Sequence, residues 1–482
     1  MQRTLTTNKR AKEPLSETLD ESFKDVPEDK PYKEFQATLG SNDNASINLE
    51  NVDWSFNGAN TRYLTHGLHR YPARMIPQIP RTLLKYWKET GTLSEGDLIF
   101  DPFCGSGTTP TEARLNGFNA VATDINPFAC LLARGKTANV DIDEVWDLAF
   151  HCTNNEWCTK ESFIDYDYDD KDSTELQPGY TANYVKKGWF PKPQLHKIEA
   201  MKVFLNELRR EYSHTATRIA RISLAETARK ISYNRDGEFK RNRIPKEEQP
   251  DHNPPFTNTF VENFFENIHR VEEFLNHVND NTTAEIIHGD CRNKNLVAEN
   301  SVDAICTSPP YGDHATTVGY GQFCQDPASI STSIKASDMK NVDPSGLGGR
   351  RSESPIKMEQ VMRWSPTLKK AVEAIQDKEN GRDQDVLDFF TDYSETLLTM
   401  ARVIKPGQPI AITVGNRTVS RIPIALNLIT TELALEFGLE HTASLPREIP
   451  SKTLPYTNAP ENVAGQTGNM IANENILIFK GT

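Results

Sequence analysis

Two short segments combine residue types that could do chemistry together. In the first, Asp101-Pro-Phe-Cys-Gly-Ser-Gly-Thr-Thr109, an apolar run that starts at Asp97 turns into glycines. Gly105 and Gly107 let a ligand approach the backbone, and the start of a following helix offers free N–H groups. About twenty residues after the turn, a second strand pattern, Ala120 to Asp124, ends in a carboxylate that can accept both hydroxyls of a ribose. No Gly-Lys-Ser/Thr follows the glycines and the G-x-G-x-x-G spacing is absent, so the ligand is expected to be a nucleoside without phosphates. An acid at Asp101 would repel phosphate and suits a cationic amino-acid moiety. S-adenosylmethionine unites ribose, ammonium and sulfonium in that way.

The second segment, Thr307-Ser-Pro-Pro-Tyr311, directly follows the strand pattern Ala304-Ile305-Cys306. Two consecutive prolines remove two N–H donors and fix an extended backbone whose carbonyls stay available as acceptors. An exocyclic base amine, whose lone pair is delocalised into the ring, needs such acceptors. If Ser308 and the Pro309 carbonyl take its two hydrogens, the nitrogen is drawn towards a pyramidal form with its lone pair aimed at a methyl group. Tyr311 can stack on a base swung out of the duplex. Catalysis is then positioning plus preorganised acceptors, with no covalent enzyme intermediate.

Strand, glycine turn, helix and acid-terminated strand make a βαβ unit over Asp97 to Asp124. Further apolar runs occur at 284–290, 302–306, 409–414 and 475–479, continuous in the manner of parallel strands buried on both faces. The expected fold is therefore α/β, a doubly wound sheet interrupted by a large, mostly helical insertion. Residues 1–50, poor in large apolar groups, are expected to form a disordered tail. Residues 51–140 supply the cofactor half and 281–482 the catalytic half, with 141–280 as the insertion. Within the catalytic half, 312–380 is rich in Gly, Ser and Asp and is expected to be a substrate loop. Ile76, Ile79, Leu83, Leu84 and Trp87 have helical spacing ahead of the first strand.

A hydrophobic content of 37% and a charged content of 25% are ordinary for a water-soluble protein, and no window reaches the roughly 20 apolar residues of a membrane span. Seven cysteines, scattered from Cys104 to Cys324, form no disulfide framework and fit a reducing cytoplasm. The spacing of Cys152 and Cys158 beside His151 is poor for zinc, and no metal is expected. The formal charge of −13 looks wrong for a nucleic-acid partner, yet Arg218 to Lys246 holds nine Lys or Arg against three Asp or Glu. Where basic residues cluster matters more than the total.

The segment Asp101–Thr109 resembles the cofactor motif of the amino-methylating DNA methyltransferases, and Thr307–Tyr311 resembles their catalytic motif. The segment His66-Gly-Leu-His-Arg-Tyr-Pro-Ala-Arg-Met-Ile-Pro77 resembles the family element that walls the methionine end of the site. Gly289-Asp290 and Val403-Ile-Lys-Pro-Gly407 are similar to later motifs. The resemblance implies a Rossmann-like class I methyltransferase fold and S-adenosylmethionine held by His69, Tyr71, Pro72, Asp101, Phe103, Gly105, Gly107, Thr108, Asp124 and Asp290. Ser308, Pro309, Pro310 and Tyr311 are the implied catalytic residues. In that family Ser-Pro-Pro-Tyr goes mostly with cytosine N4, and Asp- or Asn-Pro-Pro-Tyr with adenine N6; cytosine is favoured and adenine stays open.

The cofactor motif leads the catalytic one here, as in the permuted group whose target-recognition region lies between the two halves. Arg229, Lys230, Arg235, Lys240, Arg241 and Arg243, inside 141–280, are the expected contacts to double-stranded DNA. His314, shortly after Tyr311, is a further candidate for the extruded base. A cognate restriction endonuclease acting on the same site is the protein partner this family would imply. An RNA N2-guanine methyltransferase is a rival reading, opposed by Ser308 in place of an acid and by Thr108-Thr109 after the glycines. A non-catalytic DNA-binding module is another, opposed by the intact Ser308 to Tyr311.

Overall fold

The apolar runs form one sheet whose strands alternate their side chains between two helical layers. The computed structural model describes residues 48–154, 188–235, 242–312, 318–349, 354–378, 381–449, 457–458, 468–469 and 473–482. The tail expected before residue 48, together with Lys240, Arg241, Asp313 and His314, lies outside the described residues. Strands β1 (Leu98–Asp101), β2 (Asn119–Asp124), β3 (Ala284–His288), β4 (Ala304–Thr307) and β5 (Pro409–Gly415) run parallel. Short antiparallel pairs β6 (Arg417–Val419) with β7 (Ile422–Ile424) and β9 (Thr457–Asn458) with β10 (Gly468–Asn469) stand apart from β8 (Leu439–Glu448) and β11 (Asn473–Gly481). The sheet order is β3-β2-β1-β4-β5-β11-β8, with β11 antiparallel to both neighbours. Connections run outwards in opposite directions from β1 and β4, which makes the crevice beyond their carboxyl ends the topological switch point where such sheets bind ligands.

Ile99, Ala304 and Ile476 join Leu83, Leu84 and Trp87 of α1 (Gln78–Glu89) in one core. Their neighbours Phe100, Ile305 and Leu477 face the other way, into a core with Phe389, Phe390 and Leu397 of α12 (Arg382–Val403) and Ile429 of α13 (Leu426–Glu436). This period-two alternation is what fixes register, since a slip of one residue would exchange the two faces. Between β1 and β3 lie α2 (Thr108–Leu115), α3 (Pro127–Lys136), α4 (Ile142–Asn154), α5 (Lys192–Glu207), α6 (His214–Ile231) and α7 (Phe256–His277). The insertion thus contributes the helices α4 to α7, whose apolar faces form a third core with Phe128 and Leu132 of α3. At the contact of α3 with α6 a Cβ on Gly135 would fall 2.2 Å from Ile222 Cδ1, so a larger residue there would make the Ile222 side chain shift. No helix among the described residues is long and apolar enough to cross a membrane.

The stretch expected as a substrate loop is instead largely helical: α8 (Tyr320–Ser331), α9 (Ala336–Ser345), α10 (Met358–Trp364) and α11 (Pro366–Gln376). Its Gly and Ser content masked a helical period. Val361, Leu368, Val372 and Ile375 are buried in the α12 core, and Ser365 caps α11, accepting from Leu368 N–H, with Pro366 at the first helical position.

Candidate active site

The carboxyl ends of β2, β1 and β4 lie side by side because β1 pairs with both of its neighbours in parallel, Asp101 opposite Ala122 and Phe100 opposite Ile305. The two motifs are joined by a direct bond: the Thr307 hydroxyl donates to Asp101 Oδ1 at 2.6 Å, and the Phe103 N–H donates to the same oxygen at 3.0 Å. Asp124 accepts the Gly105 N–H on Oδ2 and the Asn126 N–H on Oδ1, each at 2.8 Å. Burial pushes both Asp101 and Asp124 up to about 6.

Tyr71, Asp101, Phe103, Gly105, Thr108 and Asp124 line one cavity, together with Asp290, Ser308 and Pro310. The remaining expected residues lie off it. Gly107 sits in the left-handed region at φ +89° as the cap before α2, and a Cβ there would come within 2.8 Å of Ala133, so this glycine allows the close packing of α2 on α3. His69 is buried edge-on to Phe128, 5.3 Å between ring centres, and 3.6 Å from Glu226. Pro72 is buried in the same segment. Pro309 is buried, whereas Tyr311 is half-buried, its hydroxyl donating to Glu474 Oε1 at 3.1 Å and lying 3.4 Å from Ser308 Oγ.

Several cavity residues were not anticipated. Asn126 caps α3, accepting from Phe128 and Ala129 N–H, and its amide donates to the Tyr71 hydroxyl at 3.2 Å. The Asn-Pro pair that follows Asp124 is a legible cap signal. Tyr320 and Asp343 come from α8 and α9, Tyr320 stacking on Tyr71 at 5.9 Å between ring centres. No local pattern marked those two.

Asp101, Asp124, Asp290 and Asp343 all line the cavity. Of the guanidinium groups there, Arg292 is spent on Asp290 at 2.6 Å and Asp392 at 2.7 Å. Arg74 turns to the His66 and Thr61 carbonyls at 2.7 and 2.8 Å. This donor set fits a hydroxylated cation and opposes a phosphate, so S-adenosylmethionine suits the residues present. A carboxylate whose resting pKa is near 6 must be ionised to hold such a ligand. Affinity is therefore expected to be flat above pH 7 and to fall about tenfold per pH unit below 6 for each carboxylate that must lose its proton. Calorimetric titration between pH 5 and 8 checks this, and a pH-independent Kd would remove the assigned roles of Asp101 and Asp124.

The wall carrying Tyr71 and Met75 is held from behind by Glu112 on α2. This carboxylate accepts from the Tyr63 hydroxyl, from His66 Nε2 at 2.7 Å and from Arg81 Nε at 2.9 Å, all of them buried. Arg81 also lies 4.5 Å above the Tyr63 ring. Burial lowers His66 to about 4, so it is a neutral imidazole donating one N–H.

The basic residues divide. Arg229 pairs with Glu226 at 2.8 Å and is only 15% exposed, so its guanidinium is already engaged within the protein. Lys230 is exposed while its Nζ donates to Asn263 Oδ1 at 2.5 Å. Arg235 and Arg243 are exposed at a short bridge between 234 and 243, and the Arg243 guanidinium stacks 4.6 Å above Trp189.

Comparison with known proteins adds sequence relatives to this geometry. The N6/N4 methyltransferase family model, described as DNA methylase, matches residues 5–135. Type II methyltransferase M.MvaI of Kocuria varians is 30% identical over 446 residues, covering 90% of this chain and 95% of that protein. Type II methyltransferase M.BsoBI of Geobacillus stearothermophilus is 22% identical over 431 residues, covering 79% and 80%. Among solved structures, the rRNA methyltransferase aviRa from Streptomyces viridochromogenes covers 90% of this chain and 96% of its own at 11% identity, with a TM-score of 0.30, too slight to bear on the fold. The cavity at the switch point, its acids and the full-length likeness to a type II enzyme together place the chain in the N4-cytosine/N6-adenine family of DNA amino-methyltransferases, with S-adenosylmethionine as methyl donor.

Proposed function

We propose that the protein methylates the N4 amine of cytosine in double-stranded DNA after taking the base out of the stack. One observation carries the reading: Ser308, a hydroxyl where the adenine enzymes would present an acid or amide, lies on the same cavity as Gly105 and Asp124. S-adenosylmethionine, when bound, supplies an electrophilic methyl group on its sulfonium. Asp124 would hold the ribose hydroxyls, Asp101 the amino-acid end, and Tyr71 and Phe103 the apolar walls. Ser308 Oγ and the Pro309 carbonyl accept the two amine hydrogens, which turns the nitrogen lone pair towards the donor side of the cavity. Pro310 keeps that backbone extended, and Tyr311 stacks on the base.

The test is nucleoside mass spectrometry of DNA from cells that otherwise lack methylation and express this chain. N4-methylcytosine is the expected product, and N6-methyladenine in its place would overturn the choice of base. Modification-sensitive sequencing of the same DNA reads out the recognition site. Cytoplasmic residence and a cognate endonuclease sharing that site follow from the same reading, given relatives named as type II methyltransferases.

Recognition is assigned to the insertion, with Arg229, Lys230, Arg235, Lys240, Arg241 and Arg243 as its phosphate or base contacts. Replacing Lys240, Arg241 and Arg243 by alanine should weaken binding and reduce the slope of log affinity against log salt by up to about 3, near 0.9 for each phosphate left without its cation. Fluorescence anisotropy across a salt series checks this. An unchanged slope would move the DNA interface elsewhere.

A further inference from the structure

A serine hydroxyl both donates and accepts, so Ser308 helps a base amine only when its own proton is turned away from that amine. The hydrogen-bond partners beyond Ser308 supply a direction. Tyr311 Oη lies 3.4 Å from Ser308 Oγ, long for two hydroxyls, as catalytic hydrogen bonds often are before substrate is in place. The Tyr311 proton is already committed, since that hydroxyl donates to Glu474 Oε1 at 3.1 Å. A carboxylate offers no proton in return. What Tyr311 can give Ser308 is a lone pair.

Glu474 is held in turn. It stands directly across from Arg447 in the pairing of β11 with β8, and the Arg447 Nη1 donates to Glu474 Oε2. Arg447 is 6% exposed, and its Nε donates to the Trp54 carbonyl at 3.0 Å. From the other side, Arg417 of β6 donates to the Tyr311 carbonyl, so the residue is gripped at both its backbone and its hydroxyl.

We propose that Glu474, fixed by Arg447, is a positioning residue that orients the hydrogen bonds through Tyr311 to Ser308, so that Ser308 presents lone pairs to the target amine. The amine donates to Ser308, Ser308 to Tyr311 and Tyr311 to Glu474, each proton pointing away from the nitrogen to be methylated. This rests on the roles given above to Ser308 and Tyr311. The alternative is that the Glu474–Arg447 pair only staples β8 to β11, and coupling separates the two.

Single-turnover methylation of a duplex substrate, with the full chain in excess and S-adenosylmethionine saturating, would be measured for Glu474→Ala, Glu474→Gln, Tyr311→Phe and Tyr311→Ala. Both Glu474 variants would also be combined with Tyr311→Phe, and cofactor Kd and Tm recorded throughout. Glu474→Ala should slow the rate about ten- to thirtyfold, as for loss of one oriented hydrogen bond, with cofactor Kd within about twofold. Glu474→Gln keeps the shape and an acceptor oxygen, so it should recover part of that loss and stays usable if the alanine variant unfolds. Once Tyr311→Phe has cut the chain, either Glu474 change should cost no more than about a further twofold. Full additive losses, or a native rate in both Glu474 variants, would overturn the inference while leaving the roles of Tyr311 and Ser308 standing. A native rate in Tyr311→Ala would overturn both.

Discussion

Ser308→Ala is expected to lower the single-turnover methylation rate by about 100- to 1,000-fold, the loss seen when one preorganised hydrogen-bonding group is removed from a transition state. The reason is local. Ser308 follows Thr307, whose hydroxyl is bonded to Asp101, so its place on the cavity is set by the same strand ends that set the cofactor side. Removing one oxygen leaves that bed intact, and cofactor Kd should stay within about threefold while the rate falls, because the interaction is made chiefly in the transition state. Stopped-time quench assays with labelled cofactor give the rate, and equilibrium titration gives Kd. Native turnover in this variant would take the amine-accepting role away from Ser308.

Glu112→Ala should be the most damaging change to stability, costing about 3–5 kcal/mol in a denaturant titration, because it strands buried partners of a common carboxylate. Tyr63, His66 and Arg81 all converge on that group from the segment that precedes β1. The variant should also bind S-adenosylmethionine more weakly, since Tyr71 and Met75 of the same segment line the cavity. Glu112→Gln keeps the shape and one acceptor, so it should lose less. A cost below about 1 kcal/mol for the alanine variant would show that the network is replaceable by water.

How far the molecule could be read in advance depended on whether a signal was local. Strands at 98–101, 119–124 and 304–307 were legible because a parallel strand covered on both faces is apolar nearly throughout, and the edge strand at 284–288 by its shorter apolar stretch around Ile286 and Ile287. The acid expected at the end of β2, Asp124, lines the cavity. Gly107 had the right type and spacing for a ligand glycine, yet its positive φ answers to Ala133 on α3, a contact between helices. Arg229 was counted as free positive charge, although Glu226, one turn earlier, was there to be read as its partner. In 312–380 glycine and serine obscured an ordinary buried helical period. Tyr320, Asp343, Glu474 and Arg447 carried no local mark, because their significance arises only when distant strands and helices meet.

The insertion is not a detachable cartridge. Glu226 of α6 accepts the Arg70 N–H at 3.3 Å and sits beside His69, Asn267 of α7 donates to the Leu68 carbonyl at 3.2 Å, and Gly135 admits Ile222. If the insertion carries the recognition role proposed for it, anyone seeking to retarget this enzyme by transplanting a foreign segment would have to retain α6 and α7 as a chassis beneath the methyl-donor chamber. Under that proposed role the exchange would be made between those two helices, where Arg235 and Arg243 are exposed.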